Sequence, residues 1–194
     1  MSQLYLASGS PRRAELLRQL GIDFEVVVPD VQELPRSGES PEHYVRRMAA
    51  TKAQRVWRTI HQEGSPVYPV LGADTCVVLD EEILSKPRDQ SESAGMLRRL
   101  SGREHVVLTA VTVVDTATTR SALSTSRVAF RSLTEREIGR YWRTGEPADK
   151  AGAYALQGLG AAFVKKIDGS YSGVVGLPLH EVAQLLNEIG MEVL

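Results

Sequence analysis

Ser8-Gly9-Ser10-Pro11-Arg12-Arg13 follows the apolar run Leu4-Tyr5-Leu6-Ala7 and precedes Leu16, Leu17 and Leu20. The apolar run reads as a buried strand. The leucines share one face of a helix running from Arg12 to Leu20. Ser10 suits the N-cap and Pro11 the first helical position. Gly21 suits the C-cap, with Ile22 placed to fold back on the last turn. The reading is therefore strand, small-residue turn, helix N-terminus, with two arginines in the first turn. Free N–H groups and the helix dipole favour an anion there. Two guanidiniums oppose that dipole unless something negative sits between them. A polyphosphate meets both demands, because Arg pairs bidentately with phosphate oxygens. The alternative is an ordinary strand–helix connection with two solvated arginines, and a short basic motif alone does not separate the two.

The rest of the chain limits what such a site can serve. Its 194 residues suit one or two compact domains with a sizeable core. A net charge of −1 gives no general electrostatic case for binding long nucleic acid, so any phosphate site must be a local concentration of basic groups. The single cysteine, Cys76, excludes an internal disulfide framework and a cysteine-cluster zinc site. The first residues lack the pattern of a signal peptide. No apolar run approaches the ~20 residues that span a bilayer. A cytoplasmic protein is the expectation.

Downstream, Phe24 to Val28 reads as a β-branched strand, followed by an acidic, proline-containing loop to Ser40. Glu33 in that loop is either a solvated charge or a carboxylate for metal or water. Ser40-Pro41 opens a helix to about His61, with Tyr44, Val45, Met48, Ala49, Val56, Trp57 and Ile60 as its apolar stripe. Lys52 lies off that stripe and is expected to flank it with its amine reaching out. Val70 to Leu79 is the most hydrophobic run and reads as a central strand, interrupted by Asp74. A buried carboxylate without a partner costs several kcal/mol, so Asp74 must have one and is a functional candidate. Gly72 and Ala73 beside it permit close approach of a ligand or another backbone. Cys76 reads as a small core residue.

Asp80-Glu81-Glu82 is expected to be a turn, and Pro87 can present the Lys86 amine rigidly. Asp89 with Glu92, and Thr134 with Glu137, are capping boxes for helices reaching Leu100 and about Thr144. His105 to Val114 and Ser121 to Phe130 read as an antiparallel pair. Gly145 to Gly160 suits a loop packed over a site. Phe163 to Ile167 and Ser172 to Val175 read as a hairpin around Asp168-Gly169. A last helix follows Gly176-Leu177-Pro178 and ends at Gly190. The four histidines show no metal-ligand spacing. Gly158-x-Gly160 lacks the third glycine of a dinucleotide fingerprint.

Ser8, Arg12, Arg13, Lys52 and Lys86 are thus the anion-binding candidates, with Glu33 and Asp74 as the acids. Basic groups plus hard carboxylates are what a Mg²⁺- or Mn²⁺-dependent phosphoanhydride hydrolase needs. Cations hold the triphosphate, and carboxylates hold the metal and orient or deprotonate water.

Taken in order, Ser8-Gly9-Ser10-Pro11-Arg12-Arg13, Gly72-Ala73-Asp74-Thr75, Lys86-Pro87, Asp149-Lys150-Ala151-Gly152-Ala153-Tyr154, Gln157-Gly158 and Val175-Gly176-Leu177-Pro178 resemble the Maf family across essentially the whole chain. The resemblance implies a single α/β domain over 1–194. It implies an elongated mixed sheet flanked by helices, with two lobes and a central cleft, related to the inosine triphosphate pyrophosphatases. It implies cleavage of a nucleoside triphosphate to monophosphate and pyrophosphate with a divalent metal, and it makes Asp74 the proton acceptor. Glu33 and Asp74 are then the candidate metal ligands. Arg12, Thr75 and Gln157 match the branch acting on dTTP and UTP; tryptophan, glutamine and glutamate mark the branch acting on 7-methyl-GTP. A Gln157 amide offers the donor and acceptor that a thymine or uracil edge requires. The expected partner is a small-molecule nucleotide, with a homodimer allowed and no nucleic acid or membrane. The rival classes are a nucleotide sensor, and a regulator of cell division acting through a protein partner.

Overall fold

The computed structural model describes residues 4–193. A seven-stranded mixed sheet carries strands in the order β2-β1-β3-β5-β6-β7, with β4 paired to β3. β1 (Leu4–Ala7), β2 (Phe24–Val26) and the first part of β3 (Val70–Leu79) run parallel. The long ribbon β5 (Glu104–Val114) and β6 (Thr119–Phe130), closed by β7 (Val164–Asp168), is antiparallel. α1 (Pro11–Arg18) and α6 (Leu179–Glu188) bury leucines against β1, β3 and β5 in one apolar cluster. α3 (Gln90–Leu100) and α4 (Glu135–Trp142) build a second around Leu97, Phe130, Tyr141 and Phe163. α2 (Pro41–Gln62) covers the opposite face of the central strands.

The pairing along one edge of β3 decides where a site can form. β1 pairs with Val70, Leu71 and Gly72, and its last partner is Ala7. β4 (Glu82–Leu84) pairs with Val77, Val78 and Leu79 on the same edge, while the other edge is filled by β5. Between Gly72 and Val77 that edge has no strand beside it. The chain leaving β1 and the chain leaving β4 both emerge at this gap, one carrying Ser8 to Arg13 and the other Ser85-Lys86.

Gly72 sets the depth of the same region. A Cβ there would lie 2.4 Å from the Ala49 carbonyl and 2.7 Å from the Ala53 nitrogen of α2. The helix backbone therefore rests directly on the strand, with Lys52 between those contacts. Gly72→Ala is expected to destabilise the fold by about 2 kcal/mol, since backbone atoms yield less readily than side-chain tips. Urea unfolding measures this, and an unchanged midpoint would show that α2 does not depend on that contact.

Several local readings are corrected. Ser172 to Val175 is not a strand: Tyr171–Val175 is a short helix, α5. The Ser170 hydroxyl accepts from Gly173 N–H at 3.0 Å while Ser170 N–H is taken by Ser126 Oγ at 2.9 Å. Those side-chain bonds give the backbone a helical start that outweighs the β-propensity of Val174-Val175. Glu82 belongs to β4 and not to the turn, because Asp80 (φ 53) and Glu81 (φ 65) alone form a tight hairpin with both central residues left-handed. Gly145 to Gly160 contains 3₁₀ turns at Glu146–Asp149 and Ala151–Ala153, and a third covers Leu159–Phe163. Ser10 occupies the N-cap of α1 without a capping bond; instead Ser8 Oγ accepts from Ser10 N–H at 3.2 Å. The Thr134–Glu137 box is complete. The Asp89–Glu92 box is half formed, because the Glu92 carboxylate accepts from Arg88 N–H at 2.6 Å.

Candidate active site

A cleft of about 390 Å³ opens at the unpaired stretch of β3. Its walls hold Ser8, Arg12, Arg13, Glu33, Lys52, Asp74, Thr75, Lys86 and Gln157, so the fold brings together every residue nominated from sequence. Side chains alternate across a strand. Asp74 therefore faces α2 and Thr75 faces the other side, yet both border the cleft because no neighbouring strand covers the edge between them.

Asp74 has the partner its burial demanded. It is 3% exposed, and its Oδ1 accepts from Lys52 Nζ at 2.7 Å. The same ammonium lies 2.8 Å from Glu33 Oε1, whose side chain is 46% exposed at the cleft mouth. Lys52, expected to flank the apolar stripe with its amine reaching out along it, is 4% exposed and ends on these two carboxylates. Burial raises the Asp74 carboxyl above the ordinary range even though Lys52 and Arg13 pull it down. Glu33 moves the opposite way: partial burial is outweighed by the hydrogen bond and charge of Lys52, and it is lowered. Two carboxylates sharing one lysine thus have divergent proton affinities, the usual mark of divided roles.

Arg13 is fixed by three protein acceptors. Its Nε donates to the Gly176 carbonyl at 2.8 Å, Nη1 to Ser8 Oγ at 3.2 Å and Nη2 to Thr75 Oγ1 at 3.2 Å. The Thr75 hydroxyl is also bonded to Thr109 Oγ1 at 3.0 Å, and Thr109 donates to the Gly173 carbonyl at 2.7 Å. With its hydroxyl so committed, Thr75 acts first on the posture of Arg13. Arg12, Lys86 and Gln157 also line the cleft, with no hydrogen bond or ion pair among the described residues. Their polar groups are available to a ligand.

Sequence reasoning missed Lys150 and Tyr154 as cleft residues. Lys150 forms an ion pair with Asp149, and the backbone of Gly152 just beyond it donates to the Ser85 carbonyl at 3.2 Å. That bond ties the 3₁₀ segment to the chain carrying Lys86. The Asp149-Lys150 pair inside a glycine- and alanine-rich stretch was the available signal. Tyr154 is oriented by His105, whose Nε2 lies 2.9 Å from the phenol oxygen, and both rings pack edge-on with Phe130. Burial pushes the His105 imidazole down to about 4, so it stays neutral. The Cys76 thiol is 2% exposed and pushed up to about 12 by burial and the Asp74 charge, which fits a core residue and not a nucleophile.

Glu33 and Asp74 each use one oxygen on Lys52, and the other oxygen of each is not engaged by that lysine. Among the described residues no cluster of three or more histidine, cysteine or carboxylate groups offers a complete metal cage. Mg²⁺ usually keeps only one or two carboxylates and takes further oxygens from substrate phosphates and water, so two hard donors beside a cleft lined with cationic side chains fit that cation.

A family model described as "Maf-like protein" matches residues 3–189. A dTTP/UTP pyrophosphatase of Nitrosomonas europaea is 51% identical, with 98% of this chain and 96% of that protein covered. A dTTP/UTP pyrophosphatase of Aromatoleum aromaticum is 50% identical, with 97% and 96% covered. The solved structure of the Staphylococcus aureus Ham1 protein superposes on 66% of this chain and 71% of its own, with a TM-score of 0.47 and 13% identity. That likeness is too slight to bear weight.

Proposed function

This chain belongs to the Maf family, and on that footing we propose that it hydrolyses dTTP and UTP to the monophosphate and pyrophosphate. The observation that carries the proposal is the gap along β3. It gathers cationic side chains from four separate segments around one buried carboxylate of raised proton affinity. The relatives at about half identity are named for that activity.

In this reading Arg12, Lys86 and Lys150 hold the β- and γ-phosphates. Three of the five N–H donors of Arg13 are used by the protein, which leaves two to meet a phosphate oxygen without reorganisation. Asp74 takes the proton from water as it attacks the α-phosphorus, and Lys52 fixes the carboxylate that does so. A general base works best when its proton affinity approaches the working pH, which is the direction burial moves Asp74. Charge developing on the departing pyrophosphate falls on the cations already paired with it. Glu33 and Asp74 would hold a divalent cation, Mg²⁺ or Mn²⁺, together with phosphate oxygens. When bound it polarises the phosphoryl group as a Lewis acid. Gln157 faces the base, its amide offering both a donor and an acceptor to a pyrimidine edge. The substrate is a free nucleotide, consistent with a formal charge of −1 and with no helix among the described residues being long and apolar enough to cross a membrane. Cytoplasmic action belongs to the same proposal.

Hydrolysis in ¹⁸O-water with a panel of nucleotides tests it. The expected result is label in dTMP and UMP and unlabelled pyrophosphate, with purine nucleotides poor substrates. Label in orthophosphate or pyrophosphate would place the attack at another phosphorus and overturn the assignment.

A further inference from the structure

Gln157 is exposed, and its side chain has no hydrogen bond or ion pair among the described residues, yet the backbone on both sides of it is pinned from outside the cleft. Glu146, in the 3₁₀ turn after α4, accepts from Leu159 N–H at 2.9 Å through Oε2. Its Oε1 accepts from Gly160 N–H at 3.0 Å and from the Tyr141 hydroxyl at 2.6 Å. The Tyr141 oxygen in turn accepts from Ala155 N–H at 3.1 Å. One carboxylate and one phenol therefore hold residues 155, 159 and 160, and Gln157 stands at the tip of the loop so closed. Tyr141 is 4% exposed and packs edge-on against Phe163, so the anchor continues into the second apolar cluster. Gly158 completes the fit, since a Cβ there would lie 2.3 Å from a Glu146 oxygen. Neither Glu146 nor Tyr141 borders the cleft.

We propose that Glu146, braced by Tyr141, is a positioning residue for base selection: it pre-sets the loop so that Gln157 meets the pyrimidine edge without an ordering cost. This rests on the reading of Gln157 as the group facing the base. Binding gains when a recognition loop is ordered in advance, and hydrogen bonds to a charged group order it more strongly than neutral ones. The carboxylate is suited to the task because it only accepts, and all three of its neighbours donate. Burial opposes its charge, but the bonds from Tyr141, Gly160 and Leu159 prevail and keep it ionised.

Glu146→Gln keeps the shape but turns one acceptor into a donor facing a backbone N–H. It is expected to raise KM for dTTP and UTP roughly tenfold while kcat stays within about twofold. Inhibition by inorganic tripolyphosphate, which has no base, should be unchanged. Tyr141→Phe, which loses the hydroxyl alone, should move KM in the same direction and serves should the first variant fold poorly. Gln157→Glu should cost dTTP and UTP roughly tenfold in kcat/KM while purine nucleotides suffer less, because an ionised glutamate meets a carbonyl acceptor to acceptor. Adding Glu146→Gln to Gln157→Glu should then lower kcat/KM little further, since the two act as one unit. Parallel loss of kcat, tripolyphosphate inhibition and melting temperature would show a merely structural residue and overturn the proposal. So would a selective Gln157→Glu beside an unaffected Glu146→Gln, which would leave base reading by Gln157 intact. Loss of all nucleotides in parallel on Gln157→Glu would overturn the base reading itself and the clamp with it.

Discussion

Asp74→Asn is expected to leave the fold intact and lower turnover ~10²–10⁴-fold, the range for loss of a positioned general base. Asparagine keeps the volume and can still accept from Lys52 Nζ, which lies 2.7 Å from Oδ1 in the wild type. It can neither accept a proton from water nor bring a full charge to a cation. The pH profile separates this from a trivial loss. Burial raises the wild-type carboxyl, so the acidic limb of kcat should lie above the ordinary aspartate range. Activity is present above that limb and disappears as the pH falls through it. In Asp74→Asn the limb should vanish with the turnover. A variant retaining more than about a tenth of wild-type kcat, with the limb intact, would remove Asp74 from the role of base.

Removing divalent cations is expected to be damaging on a similar scale. Turnover in EDTA should fall about 10³-fold or more and return on adding Mg²⁺ or Mn²⁺, since a Lewis acid on a phosphoryl group contributes several kcal/mol. The ion-pair geometry adds a particular expectation. Lys52 sits between Glu33 and Asp74 at 2.8 and 2.7 Å, so without nucleotide a second cation meets carboxylates that already have a counter-charge. Titration calorimetry should therefore find Mg²⁺ bound much more tightly when a non-hydrolysable dTTP analogue is present. Full activity in EDTA would sink the metal proposal. Equal affinity with and without the analogue would show that the protein alone supplies the site.

Arg12, Arg13, Asp74 and Lys86 were legible because each broke a local rule, whereas Thr75 and Gln157 came only with the family resemblance. Arg12 and Arg13 oppose a helix dipole, Asp74 interrupts an apolar strand, and Lys86 precedes a rigid proline. The long strands and α2 were legible from period and caps. The route by which Lys52 reaches Asp74 was not, because it depends on α2 resting on Gly72, a contact between segments about twenty residues apart in sequence and known only once paired. α5 was misread because valines favour strands in isolation, whereas the Ser126 and Ser170 hydroxyls that divert the backbone come together only in the tertiary fold. Glu146 was invisible for a related reason: a glutamate beside a proline reads as solvated charge, and its three donors come from one other turn and a helix.

The bond from Arg13 to Gly176 joins residues 163 positions apart, and the bond to Thr75 spans 62. The cleft therefore has no local precursor. Closing such contacts requires loops of that length to be ordered first, which makes them late events in folding. During synthesis, which proceeds N-terminus first, the arginines exist long before the carbonyl that aims them. A growing or truncated chain can present a basic turn to a nucleotide but not the fixed guanidinium beside a buried aspartate. Fixing Arg13 for a triphosphate thus waits on the segment that carries Gly176, and a chain stopped short of that residue lacks the anchor.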